Sequence, residues 1–160
     1  MPLRQHRTKV ILLGLLLAMD LFTTCLNSSV IPAHAQSAPS TAGDAVQLIR
    51  NYYRWINQKK YEGAFNIWEK RDDGYAVNGQ NFEKFAGGFN DTASVSVEIG
   101  EPSEIEGAAG SNYIQIPVVI SATSTDGSQQ KFAGSYTMRS SNMADDRSWY
   151  IHSAKVRKVQ

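Results

Sequence analysis

Acid–base chemistry near neutral pH needs a side chain that titrates there. Beyond the first 35 residues this chain offers one histidine, His152. It follows Trp149 and Ile151, and strict alternation puts it on the opposite face from them. Ala154 and Val156 share its parity, so a bulge would turn it to either face. A surface or hydrogen-bonded structural histidine is the favoured reading, and a general base the alternative. Tyr136 is the best hydroxyl to face a pocket, because Gly134 beside it allows a bend and a close approach. The one cysteine, Cys25, also lies in the first 35 residues. One histidine and no cysteine in the remainder give no zinc-ligand set. Asp72-Asp73-Gly74 lacks the oxygen spacing of a calcium loop and reads as a turn. No metal and no cofactor are expected.

Aromatic residues are more plentiful. Tyr52, Tyr53, Trp55, Tyr61, Trp68, Phe82, Phe85, Phe89, Tyr136 and Trp149 recur at inward-facing positions. Tyr52, Trp55, Trp68, Phe85 and Tyr136 are the candidate ligand-binding set, with tyrosine hydroxyls to orient a ligand. The simpler alternative makes all of them plain core. No strand places an aspartate or glutamate on its apolar face: Glu98 alternates outward, and Glu101, Glu104 and Glu106 surround a bend and a turn.

The elements that must position these residues are legible in two periods. Thr41-Ala42-Gly43-Asp44 has the spacing of a capping box. Ala45, Leu48, Ile49, Tyr52, Tyr53 and Ile56 then repeat as one helical face, with Arg50 and Arg54 on the wet side. Tyr61, Ala64, Phe65 and Trp68 form a second helical stripe, from which Glu62 and Glu69 face away. Residues 81–89 read as a short third helix carrying Phe82, Phe85 and Phe89. From Thr92 the period becomes two. Val95, Val97 and Ile99 mark one strand. Ile114, Ile116, Val118 and Ile120 mark a second, where Pro117 demands an edge or a bulge. Residues 107–110 read as a turn. Ser124-Thr125-Asp126-Gly127 is a hairpin turn leading to a third strand with Phe132, Tyr136 and Met138. Trp149 and Ile151 open the fourth. The expected fold class is α+β: three N-terminal helices packed on a strongly curved, cone-like, four-stranded antiparallel sheet.

Residues 1–35 read as a secretory signal peptide. Arg4, Arg7 and Lys9 form a positive start, Val10 opens an aliphatic run, and Pro32-Ala33-His34-Ala35 supplies small residues for cleavage after Ala35. Asp20 interrupts a run already short for a membrane span. An uncleaved anchor and a lipoprotein at Cys25 are the alternatives. Cleavage leaves 125 of the 160 residues. Residues 36–42 read as a flexible leader and 43–158 as one domain, enough to bury a core without disulfides. The sixteen basic and fifteen acidic residues of the whole chain become thirteen and fourteen. No basic face is left for nucleic acid, and no membrane association is expected after cleavage. The expected location is periplasmic or secreted.

A family resemblance adds to this. Tyr52-Tyr53, Ile56-Asn57, Tyr61-Glu62-Gly63-Ala64-Phe65 and Trp68 lie in the helical half. Phe85, Phe89, residues 106–111, Tyr113, Phe132, Gly134, Tyr136, Trp149 and Ile151 continue the order. The pattern resembles exported bacterial proteins of the nuclear transport factor 2-like, or cystatin-like, α+β cone superfamily. That superfamily holds enzymes such as ketosteroid isomerase and scytalone dehydratase beside non-catalytic modules, so fold alone does not fix function. The leading expectation is a non-enzymatic binding or accessory module. It would hold a small apolar ligand between helices and sheet, or an envelope protein on its surface, as a monomer or a weak homodimer. The alternative is an isomerase- or dehydratase-type enzyme with His152 and Tyr136 as its acid–base groups. A purely structural envelope component with an occluded core is the third reading.

Overall fold

The structure, a computed structural model, describes residues 40–143 and 146–159. The expected signal peptide, its cleavage site and most of the leader lie outside these residues. The first helix, α1, is Ala42–Asn57. Thr41 caps it, its side chain accepting from the Asp44 N–H while the Asp44 carboxylate accepts from the Thr41 N–H. Helical structure therefore begins one residue before the boundary expected at 43. Ala45, Ile49, Tyr52, Tyr53 and Ile56 are the buried face of α1.

The second helix, α2, is Tyr61–Asn66, and the third, α3, is Phe82–Gly87. Both are shorter than their apolar stripes. Trp55 of α1 packs over Gly63, where an added Cβ would stand 3.2 Å from the indole ring. After Asn66 the chain leaves the helix and runs parallel to the last strand. Ile151 N–H donates to the Ile67 carbonyl, and Glu69 N–H donates to the Ile151 carbonyl. This extended step takes Trp68 into the core and Glu69 out of it.

The sheet has five strands rather than the four expected. They are β1 (Thr92–Ile99), β2 (Glu106–Ala108), β3 (Ser111–Ser124), β4 (Gln129–Ser141) and β5 (Trp149–Lys158). The order is β1-β3-β4-β5, all antiparallel, with β2 pairing the start of β3. Residues 107–110 were expected as a turn alone; Gly107 and Ala108 instead pair with Asn112 and Ser111, and only Ala109 and Gly110 turn.

Pro117 sits in the central strand β3, with neither the edge position nor the bulge that was expected. Its carbonyl accepts from Gly100 N–H, but it has no N–H to return the bond, and the β1 ladder ends beside it at Ile99. Ile114, Ile116, Val118 and Ile120 of β3 meet Tyr136 and Met138 of β4 and Trp149 and Ile151 of β5 in one core. Helix α1 lies over this face and touches β1, β3 and β5, while α2 joins it to α3. Each of these large apolar side chains contributes on the order of 2 kcal/mol by leaving water.

Candidate functional site

Tyr53 is brought in by the buried stripe of α1, and Tyr136 by the inward parity of β4. Their hydroxyls meet at 2.7 Å. Tyr52 packs edge-on against both, at centroid distances of 5.0 Å and 6.1 Å. The three rings line a cavity of about 340 Å³ with Phe89, Ile120, Phe132 and Val156, and with Asp91, Thr123 and Gln130 among its polar lining. A larger depression of about 620 Å³ runs across β1, β3 and β4, but its lining is mostly hydroxyl and amide groups. The aromatic cavity is therefore the stronger small-molecule site.

All three tyrosine hydroxyls are harder to ionise than an ordinary phenol. Burial is the main cause in each. For Tyr136, the neighbouring Tyr53 raises the value further. For Tyr53, the bond from Tyr136 partly opposes the shift. For Tyr52, the Trp68 indole N–H opposes it. That N–H is buried and makes no hydrogen bond of ordinary geometry. These three phenols are thus held neutral. Two hydroxyls share one bond, so the pair retains a proton that it does not use internally.

The five sequence-derived ligand candidates separate. Tyr52 and Tyr136 line the cavity. Trp68 and Phe85 are buried behind it, Phe85 at 6.2 Å from the Tyr52 ring. Trp55 is half-buried over α2. Tyr53, which the sequence placed on the apolar stripe of α1 but not in the ligand-binding set, proves to be the partner of Tyr136.

His152 goes elsewhere. The β4–β5 register passes from Met138↔Ile151 to Thr137↔Ser153, so His152 is the extra residue of a bulge. Its side chain stands on the outer face, against Glu69. Nδ1 is 2.6 Å from Glu69 Oε2, and Tyr113 meets the ring edge-on at 5.7 Å. Glu69 Oε1 accepts from Arg139 Nη1, and Arg139 Nε donates to the buried Ser111 hydroxyl at 2.9 Å. Glu69 was expected to face away into solvent; it is half-buried at the hub of this cluster. The sheet lies between His152 and Tyr136, so the two expected acid–base partners share no site. Among the described residues no group of three or more His, Cys, Asp or Glu side chains is placed to hold a metal ion. No helix among them is long and apolar enough to cross a membrane.

No protein-family model matches the chain, and no curated protein matches it. Solved structures do. A protein provisionally named an aromatic ring hydroxylase, from Novosphingobium aromaticivorans, aligns with TM-score 0.53 at 10% identity, over 73% of this chain and 87% of that one. One provisionally named a scytalone dehydratase, from the same organism, aligns with TM-score 0.52 at 9% identity, over 74% and 83%. The Kfla4162 protein of Kribbella flavida aligns with TM-score 0.51 at 13% identity, over 74% and 90%. The likeness shows a shared α+β cone fold and agrees with the nuclear transport factor 2-like resemblance at that level.

Proposed function

We propose that this protein is a binding module that holds a small, neutral, largely apolar molecule in the cavity between α1 and the sheet. The observation that carries the reading is the Tyr53–Tyr136 hydroxyl pair in the wall of an aromatic cavity. Burial of a polar pair is costly unless it is satisfied, and this pair keeps one proton for a ligand acceptor such as a carbonyl or ether oxygen. The cavity lining holds no cation, and burial keeps its phenols protonated, so an anion finds no countercharge there.

Two of the fold neighbours bear provisional enzyme names, and their shared cone supports a ligand cavity in this chain. The isomerase or dehydratase reading is the weaker one, because His152 stands across the sheet from Tyr136. The reading of residues 1–35 as a signal peptide would place the module in the periplasm or outside the cell. Native mass spectrometry of the protein, purified gently from its natural compartment, tests the proposal. Extra mass released on denaturation supports it and identifies the ligand class. A bare chain that also takes up none of a panel of neutral aromatic ketones would contradict it.

A further inference from the structure

The free edge of β1 carries a second site. Along a strand, residues alternate between the two edges in the direction of their backbone N–H and C=O groups. Val95 turns its groups away from β3 and gives both to one side chain. Its carbonyl accepts from Asn57 Nδ2 at 2.6 Å, and its N–H donates to Asn57 Oδ1 at 2.8 Å. Asn57 thus imitates a neighbouring strand for one residue. Lys59 Nζ similarly covers the Thr92 carbonyl. By the same alternation Val97 and Ile99 face the open edge, and no described residue pairs with them there. Such an uncovered edge is a template for another strand.

The groove beside this edge holds about 380 Å³ and is lined by Arg50 and Arg54 of α1 and by Val95, Ser96 and Val97 of β1. Both arginines are exposed, and neither has an ion-pair partner among the described residues. No carboxylate lines the groove. Glu98 alternates onto the outer face, and Glu101 lies beyond the end of the strand. Residues four apart on a helix lie about 6 Å apart. Alternate side chains of an extended peptide repeat at about 7 Å. Two acidic side chains two residues apart on an added strand therefore match the two guanidinium groups.

We propose that the β1 edge binds an extended acidic segment of another polypeptide by strand addition, with its backbone on Val97 and Ile99 and its carboxylates on Arg50 and Arg54. This site is separate from the aromatic cavity and stands or falls without it. The test is fluorescence anisotropy with a dye-labelled short peptide that alternates Glu with Val. Two controls accompany it: the same peptide with Lys for Glu, and the Glu peptide with N-methylated backbone amides. The Glu peptide should bind, more weakly as salt is raised. The Lys and N-methyl peptides should each bind at least about tenfold more weakly. An R50E/R54E double variant, altered only at exposed positions, should melt like the parent and lose binding to a similar degree. Equal binding of the Glu and Lys peptides, undiminished binding of the N-methyl peptide, or no binding of the Glu peptide would each overturn the proposal.

Discussion

The hydroxyl pair of Tyr53 and Tyr136 makes a double-mutant cycle informative. Removing either oxygen leaves the other buried without its partner, at a cost of about 1–3 kcal/mol. Removing both leaves no orphan. Tyr53→Phe and Tyr136→Phe should therefore each lower stability, and the double variant should lose clearly less than the sum of the two. Chemical denaturation of the four proteins reads this out, and simple additivity would mean that the bond contributes nothing of its own. His152 gives the opposite expectation. Its ring is tied to Glu69 on the outer face, so His152→Gln should leave ligand uptake by the cavity unchanged. Glu69→Gln, which weakens the hold on both Arg139 and His152, should cost about 1–2 kcal/mol, because the partners are partly exposed and screened. Loss of ligand uptake in H152Q would show that the two faces are not independent.

Among the elements, α1 depends on its cap. Thr41→Ala should destabilise the protein by about 1 kcal/mol. The Thr41 backbone and hydroxyl hold Asp44 as a carboxylate and lower its pKa from 3.8. A lowered folded-state pKa stabilises above the unfolded value and is lost as pH falls through the folded one. The T41A penalty should therefore shrink below about pH 4, which melting curves across that range would reveal. In the sheet, Gly134 is the critical position. A Cβ there would stand 1.9 Å from the Lys155 carbonyl oxygen, a backbone atom paired across the β4–β5 ladder. Gly134→Ala should cost about 3 kcal/mol or more, or prevent folding.

Local patterning carried the period-two strands, the capping box and the buried stripe of α1 into the sequence reading. It failed where one distant contact decided. The apolar stripe continued to Trp68, but the pairing of residues 67–69 with Ile151 stops α2 at Asn66 and turns Glu69 onto Arg139. Nothing within a window around Glu69 encodes a partner 70 residues away. His152 was left open between faces, and a bulge visible only in the β4–β5 register decides it. The three-residue β2 was hidden under turn-forming glycines. Helical periodicity placed Trp55, Trp68 and Phe85 near the right surface, but it does not separate a cavity wall from the layer behind it.

At the largest scale, the described domain is built on a sheet with two unlike faces. Inside, the helices close over an aromatic cavity whose three tyrosines are kept protonated by burial. Outside, a Glu69-centred cluster fixes the segment after α2 against the sheet. The Tyr53–Tyr136 pair should select a neutral, acceptor-bearing ligand, and shape-matched probes separate this from mere hydrophobic uptake. The measurement is titration calorimetry of the protein with acetylnaphthalene, ethylnaphthalene and naphthoate. The three share an apolar body and differ in offering a neutral acceptor, none, or an anion. Acetylnaphthalene should bind most tightly, on the order of tenfold better than ethylnaphthalene, the effect of about one hydrogen bond. Naphthoate should bind most weakly. Equal affinity for all three, or a preference for naphthoate, would contradict a cavity that offers a neutral donor from the Tyr53–Tyr136 pair.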